Sequence, residues 1–345
     1  MSDMHRLLKT MQQEGSGVLA AVIEVEGSAY RKAGAKMFFA KDGTWSGLIS
    51  GGCVEEDLSY AAEAVLHSGS PQVVTYDLRS EDDLGWGQGA GCNGSIRVLL
   101  EPVHMHPSSI WQRMLTELEN NRPVVQLKRT GSGEATVLYT PEGKRIGGNG
   151  AITLSEVERE KLVSLQTDKE TAAVITEGGS MLIYECIMPK PKLYVFGAGR
   201  DAEPVVSQAV RTGWGVTVVD PSPNRLEAGG FTEADERICR HPEGWLQEHS
   251  LPEGASVLVM SHRFEQDQRV LQLLAGQNTS YCGVLGPRRR TRRLLGTDTI
   301  PGWITSPAGL DIQAEGEEEI AISMMAELIQ VRRAVKQVPA VLEVV

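Results

Sequence analysis

The chain has 345 residues, enough for two or more compact units, and its 41% hydrophobic and 23% charged residues are an ordinary globular balance. A formal net charge of −11 excludes a general binder of nucleic acid or anionic membrane, because phosphate surfaces call for cationic partners. No run approaches the roughly 18 apolar residues of a spanning helix, and the start, Met1-Ser2-Asp3-Met4-His5-Arg6, lacks the apolar stretch of a signal peptide, so a cytoplasmic protein is expected.

In chain order, residues 3–14 are expected as a short helix, 18–26 as a strand, and 36–40 with 45–49 as a hairpin around Lys41-Asp42-Gly43. A helix follows over 54–67, since Val54, Leu58, Ala61, Ala62, Val65 and Leu66 fall on one face. Glu55, Glu56 and Asp57 occupy its first turn, where the positive end of the helix dipole accounts for them without a catalytic role. Strands at 73–77 and 95–101 enclose a glycine-rich loop over 85–94. After a break at 102–107 come a helix near 108–120, strands near 123–129 and 134–140, a charged helix over 153–165, and two strands within 172–187 around Glu177-Gly178-Gly179. These elements make an α+β first domain over 1–190, with 108–188 as its middle portion. Pro189 and Pro191 interrupt regular structure and mark the boundary to a second domain over 191–345.

That second domain opens on an apolar strand, 193–196, running into Gly197-Ala198-Gly199-Arg200-Asp201-Ala202, a G-x-G-x-x-A turn before a helix. Glycines at such a turn let backbone amides approach a pyrophosphate. A second strand, 216–219, ends in Asp220, 23 positions after Gly197, about where a carboxylate about 20 residues on would hold a ribose hydroxyl. A tight strand–helix turn in a non-binding sheet is the plainer reading. The later strands, 256–260 and 281–285, are apolar throughout, as in a parallel sheet covered on both faces, so the fold class is α/β with a Rossmann-like second domain. The last helix, 317–336, has Glu317, Glu318 and Glu319 at its start and Arg332, Arg333 and Lys336 at its end, matched to its dipole. Its stripe of Ile320, Met324, Leu328 and Val331 makes a homodimer the expected assembly.

Five cysteines, at 53, 92, 186, 239 and 282, form no C-x-x-C pair and fit a reducing compartment. Cys186 and Cys282 lie in apolar, strand-like contexts and read as small buried hydrophobes. Cys53 follows Ser50-Gly51-Gly52 and enters a helix, a position that lowers a thiol pKa. Cys92 lies in Gly91-Cys92-Asn93-Gly94, where the backbone can bend close to a ligand. Each thiol is either a small residue in a tight loop or one that serves a soft metal, a sulfur-transfer step or a redox pair; two sulfurs alone cannot close a structural zinc site. Gly27-Ser28-Ala29-Tyr30-Arg31-Lys32-Ala33-Gly34 is a basic loop, open to an anion or simply solvated. His262 follows a strand end, with Asp267 five positions on, and is the available acid or base. Gly286-Pro287-Arg288-Arg289-Arg290 sets guanidinium groups at a helix start, the unfavourable end for cations, which a bound phosphate would relieve; a solvated basic face is the alternative.

These motifs together resemble the xanthine dehydrogenase accessory family, the XdhC/CoxI-like proteins. The first half carries Gly27-Ser28, Gly34-Ala35-Lys36-Met37, Gly51-Gly52-Cys53-Val54-Glu55 and Gly91-Cys92-Asn93-Gly94. The second carries Phe196-Gly197-Ala198-Gly199, Val218-Val219-Asp220, His262 with Asp267, Gly286-Pro287-Arg288-Arg289, Pro307-Ala308-Gly309-Leu310-Asp311-Ile312 and Glu318-Glu319-Ile320-Ala321. The resemblance implies a factor that binds the molybdenum–pterin cofactor, assists exchange of an oxo for a sulfido ligand, and delivers the cofactor to a xanthine dehydrogenase-type hydroxylase of purine catabolism. Cysteine desulfurase is a further partner on this reading, and independent catalysis is not required. Gly197, Gly199, Arg200, Asp220, Arg288 and Arg289 would bind the cofactor; Cys53, Cys92 and His262 would stand at the chemistry. The sequence departs from the family at Arg200, where a histidine is usual, at Asn93 and at Pro287. Rival readings are an NAD-dependent oxidoreductase, favoured by Asp220 and the glycine fingerprint, an accessory subunit of xanthine dehydrogenase itself, and a nucleotide-sensing regulator.

Overall fold

The computed structural model describes residues 2–52, 54–79, 93–131, 134–166, 171–175, 180–227 and 229–334, and these fall into two compact units that part between Pro189 and Lys190. Cys53, Cys92, the loop from 85 to 92, the turn at 177–179 and residues 335–336 of the expected last helix lie outside the described residues.

The first unit rests on two antiparallel five-stranded sheets. One holds β1 (Ser16–Ser28), β2 (Lys36–Ala40), β3 (Trp45–Gly47), β4 (Gln72–Asp77) and β5 (Asn93–His104) in the order β3-β2-β1-β5-β4. Helices α1 (Ser2–Glu14), α2 (Glu55–Ser68) and α3 (Ile110–Glu119) cover it. Val18, Ala20 and Val22 of β1 pack on Leu58, Ala62 and Val65 of α2. Leu19 faces the other way, onto Leu7, Leu8 and Met11 of α1 and Met114 and Leu115 of α3. Cover on both faces is why β1 is apolar without alternation. Gly69, left-handed at φ 67°, stops α2 and returns its N–H to the Val65 carbonyl at 2.9 Å.

The second sheet orders β6 (Val124–Thr130), β7 (Ala135–Tyr139), β8 (Arg145–Asn149), β9 (Thr171–Ile175) and β10 (Met181–Ile187) as β8-β7-β6-β10-β9, with α4 (Glu156–Gln166) following β8 in the chain. The sequence reading missed β8. Gly147 and Gly148 are poor strand formers, but backbone pairing to β7 holds this edge strand, and a Cβ on Gly148 would fall 2.1 Å from the Thr136 carbonyl oxygen. Two buried ion pairs cross between the sheets, Lys36 of β2 with Glu185 of β10 and Lys128 of β6 with Glu101 of β5.

The second unit is a parallel sheet of β11 (Lys192–Phe196), β12 (Gly215–Val219), β13 (Glu236–Ile238), β14 (Ala255–Val259) and β15 (Thr279–Val284), ordered β13-β12-β11-β14-β15. Its helices are α5 (Ala202–Arg211), the single turn α6 (Pro223–Leu226), α7 (Pro242–Glu248), α8 (Phe264–Leu274), α9 (Arg288–Leu295) and α10 (Gly316–Ala334). The period of two decides the layers. Leu193 and Val195 join a core with α5 and α10, whereas Tyr194 and Phe196 join one with α7, α8 and α9. The expected α/β class with a Rossmann-like second unit is what the chain adopts. The sequence reading missed the short β13 and α7. Cys186 and Cys282 are buried, as expected, and burial pushes the Cys282 thiol up to about 12; Cys239 is exposed. No described helix is long and apolar enough to cross a membrane.

Candidate functional site

The strand order reverses between β11 and β14: the chain runs outward through β12 and β13, then restarts on the other side of β11. In open α/β sheets the crevice at such a reversal, at the carboxyl ends of the strands, is where ligands sit. The sequence candidates of the second unit gather there. The turn 197–201 follows β11, Asp220 follows β12, Ser261 and His262 follow β14, and Gly286 to Arg289 follow β15. With strands about 4.8 Å apart, these four loops share one edge.

The glycines answer first to the chain's own packing. Gly197 has φ 118°, and a Cβ there would lie 2.6 Å from the backbone nitrogen and Cα of Ser261, so only glycine lets the two strand ends meet. A Cβ on Gly199 would lie 2.5 Å from Asp201 Oδ1 and 3.7 Å from His262 Cδ2. His262 itself holds a left-handed backbone, φ 58°, unusual outside glycine. Its Nε2 faces Asp201 Oδ2 at 2.7 Å, which makes that nitrogen the donor to the carboxylate.

Asp220 is 1% exposed. Its Oδ2 accepts from the Ala198 N–H at 2.9 Å, and its Oδ1 from Ser222 N–H at 2.8 Å and Arg225 Nη2 at 2.9 Å. The carboxylate thus braces the glycine turn from beneath. Asp267, fully enclosed on α8, accepts from the Ser261 hydroxyl and from Arg290 Nη2 at 2.6 Å. The sequence paired His262 with Asp267; the structure gives His262 to Asp201 and Asp267 to Arg290. That grip fixes the first turn of α9 and turns Arg290 inward. Arg288 and Arg289 are exposed, with no ion-pair or hydrogen-bond partner among the described residues, and Arg200 is exposed at the rim of the turn. Two unpaired guanidinium groups at a helix start suit a phosphate, which the amides there also favour.

In the first unit the described neighbours of both thiols collect at one end of the first sheet. Gly27 and Ser28 of β1 pair with Gly94 and Asn93 of β5, where a Cβ on Gly94 would strike the Glu26 carbonyl oxygen at 2.2 Å. A Cβ on Gly51 would lie 3.8 Å from Cδ2 of the exposed Tyr30 ring. Glu55, buried at the start of α2, accepts from the backbone of Ser50 at 2.6 Å and of Ile49 and Val54 at 3.3 Å each, and from the Ser50 hydroxyl. Burial would raise its pKa, but these bonds from Ser50, Ile49 and its own amide outweigh it and hold the carboxyl below its ordinary value. Glu55 is therefore a clamp on the segment preceding α2, a more specific task than the dipole argument assigned it.

Among the described residues no group of three or more histidine, cysteine or acidic side chains is placed to hold a metal ion. Asp201 and Glu55 were missed as site-shaping residues. Asp201 is an unspecified position of the fingerprint and Glu55 an ordinary first-turn acid, so only the direction each carboxylate takes in three dimensions marks them out.

The chain is similar to known proteins along most of its length. A family model for the XdhC Rossmann domain matches residues 193–328, and one for the XdhC and CoxI family matches residues 11–77. The chain is 37% identical over 338 residues to a protein of Bacillus subtilis (strain 168) described as a probable xanthine dehydrogenase subunit, covering 97% of this chain and 99% of that protein. It is 24% identical over 346 residues to "Molybdenum cofactor insertion chaperone PaoD" of Escherichia coli (strain K12), covering 96% and 90%. A crystal structure described as a xanthine dehydrogenase from Bacillus halodurans matches with a TM-score of 0.83 at 39% identity, over 98% of this chain and 97% of that one.

Proposed function

This chain belongs to the XdhC and CoxI family, and on that premise we propose that it carries the molybdenum–pterin cofactor to a xanthine dehydrogenase-type hydroxylase and assists its maturation. The observation that carries the reading is the pair of guanidinium groups, Arg288 and Arg289, without a partner among the described residues, at the carboxyl edge of a parallel sheet. The cargo bears a phosphate, and arginine matches phosphate geometry with two parallel donors. In this reading Arg288 and Arg289 take the phosphate, Arg200 adds charge at the rim, and the turn of Gly197 and Gly199, braced by Asp220, shapes the floor. His262, exposed and bonded to Asp201 through Nε2, offers its other ring nitrogen as a proton acceptor or donor. Cys53 and Cys92 supply thiol sulfur to the metal or to its sulfido ligand. The relative from Escherichia coli is named for insertion of this cofactor, which supports the assignment.

The client is a molybdenum hydroxylase. A cysteine desulfurase as sulfur source, a second copy of the chain as partner, and action in the reducing cytoplasm complete the proposal. Protein purified from a cofactor-producing host is expected to release a fluorescent pterin on acid oxidation, and the Arg288→Ala/Arg289→Ala variant about tenfold less. A wild-type preparation free of pterin that also fails to bind it on titration would overturn the reading.

A second reading, a permanent subunit of the hydroxylase, is favoured by the name of the Bacillus subtilis relative. Co-purification in fixed stoichiometry with the mature enzyme would select it; association limited to the apoenzyme selects the carrier. The NAD-dependent oxidoreductase is less well served. Asp220 has both oxygens engaged inside the fold rather than open to a ribose.

A further inference from the structure

We propose that Asp201, held across the crevice by His262, is a specificity residue that keeps dinucleotide pyrophosphates off the glycine turn. Nothing in this depends on the identity of the carried cofactor. A fingerprint of this kind normally works because the glycines leave the turn bare, so that a diphosphate can lie against backbone amides at the start of the helix. Here the bare surface is already filled. Asp201 Oδ1 occupies the space just off Gly199, 2.5 Å from where a Cβ would stand, and the edge of the His262 ring lies behind it.

Asp201 heads α5 but makes no capping bond to the helix amides. Its Oδ2 is instead tied to His262 Nε2 at 2.7 Å. Because Asp201 follows β11 and His262 follows β14, this bond spans the two strands at which the order reverses, the ligand crevice itself. The His262 backbone is left-handed at this point, and its ring reaches the neighbouring strand's loop.

Four of the amides at the turn and the helix start are satisfied from within. Gly197 N–H goes to the Val219 carbonyl at 3.0 Å and Ala198 N–H to Asp220 at 2.9 Å. At the helix start, Ala202 N–H goes to the Gly199 carbonyl at 3.0 Å and Glu203 N–H to the Arg200 carbonyl at 3.3 Å. An incoming diphosphate would have to displace a carboxylate from its hydrogen bond and sit beside it. With a neutral imidazole the Asp201–His262 pair carries a full negative charge and repels the ligand; with an imidazolium it is neutral but still fills the space. Rejection by a like charge and by bulk is how a site excludes a ligand its scaffold would otherwise accept. An anion is then directed to Arg288 and Arg289, two strands away along the same edge.

The test is calorimetric titration of the full chain with ADP and with NAD, using adenosine to subtract what the base and sugar contribute. Wild-type protein is expected to bind ADP no more tightly than adenosine. Asp201→Gly, which removes both charge and bulk, is expected to bind ADP at least about tenfold more tightly than wild type. A gain already present in the near-isosteric Asp201→Asn assigns the exclusion to charge; a gain confined to Asp201→Gly assigns it to bulk. Wild-type protein that prefers ADP or NAD to adenosine by about tenfold overturns the proposal. So does an Asp201→Gly variant that keeps the wild-type circular dichroism spectrum and melting profile yet gains nothing. The wild-type titration stands as a test even if neither variant folds.

Discussion

At the scale of single residues, the motif glycines and acids turn out to serve packing before they serve a ligand. Gly197 is required because Ser261 backbone lies where a side chain would begin, and its φ of 118° is closed to other residues. Gly197→Ala should cost about 2–4 kcal/mol through backbone displacement and strain, seen as a lower urea midpoint with an unchanged slope. Glu55 shows the same economy in the first unit. Its folded pKa lies below the unfolded value, so the stability it confers is complete above the unfolded value and disappears as pH falls through the folded one. Glu55→Gln should be less stable than wild type by about 1–3 kcal/mol at neutral pH, since buried amides lose a charged acceptor. The two proteins should converge on acidification below about pH 4. A gap that persists unchanged at low pH would show that shape, not charge, is what Glu55 contributes.

At the scale of elements, the ion pairs that cross between the two sheets of the first unit are the test case. Lys36 is 5% exposed, and its partner Glu185 is nearly as enclosed. The sequence shows Lys36 only as one letter of Gly34-Ala35-Lys36-Met37, and nothing in that spacing points to a glutamate 149 positions away. Lys36→Met should cost about 3–5 kcal/mol by leaving a carboxylate buried and unpaired, and adding Glu185→Met should recover most of the loss. In the second unit α10 is fixed in a comparable way. Glu327 accepts from Tyr281 and from the Gly309 N–H at 2.7 Å, and burial together with that carboxylate pushes the Tyr281 hydroxyl well up. Glu327→Ala should loosen the loop that starts at Pro307, giving faster amide exchange at Gly309 and Leu310 and a lower melting temperature. Residues 317–334 were readable as a helix from their charges and stripe; their anchor was not, because it joins three separate stretches of chain.

At the scale of the whole molecule, thiol-bearing motifs belong to one compact unit and the arginine-bearing crevice to the other. This division predicts separable losses. Arg288→Ala/Arg289→Ala should lower the pterin content of the purified chain, while Cys53→Ser/Cys92→Ser should leave it largely intact and depress the sulfuration and activity of the client hydroxylase. Equal loss of pterin in both variants would contradict the assignment of phosphate to one unit and sulfur to the other.

What the sequence alone determined is what local and periodic patterns carry: the alternation of strand and helix after Pro191, the apolar strands of a parallel sheet, the hairpin at Lys41-Asp42-Gly43, and the ordered motifs that identify the family. A period of two or 3.6 is written in neighbouring residues, so it survives without the fold. Only the tertiary structure decided the partners: His262 with Asp201 rather than Asp267, Arg290 turned inward while Arg288 and Arg289 stay exposed, Asp220 beneath the turn rather than open above it. Those choices depend on which strand lies next to which and on where each side chain's last bond points. Neither is a property of any one stretch of the chain.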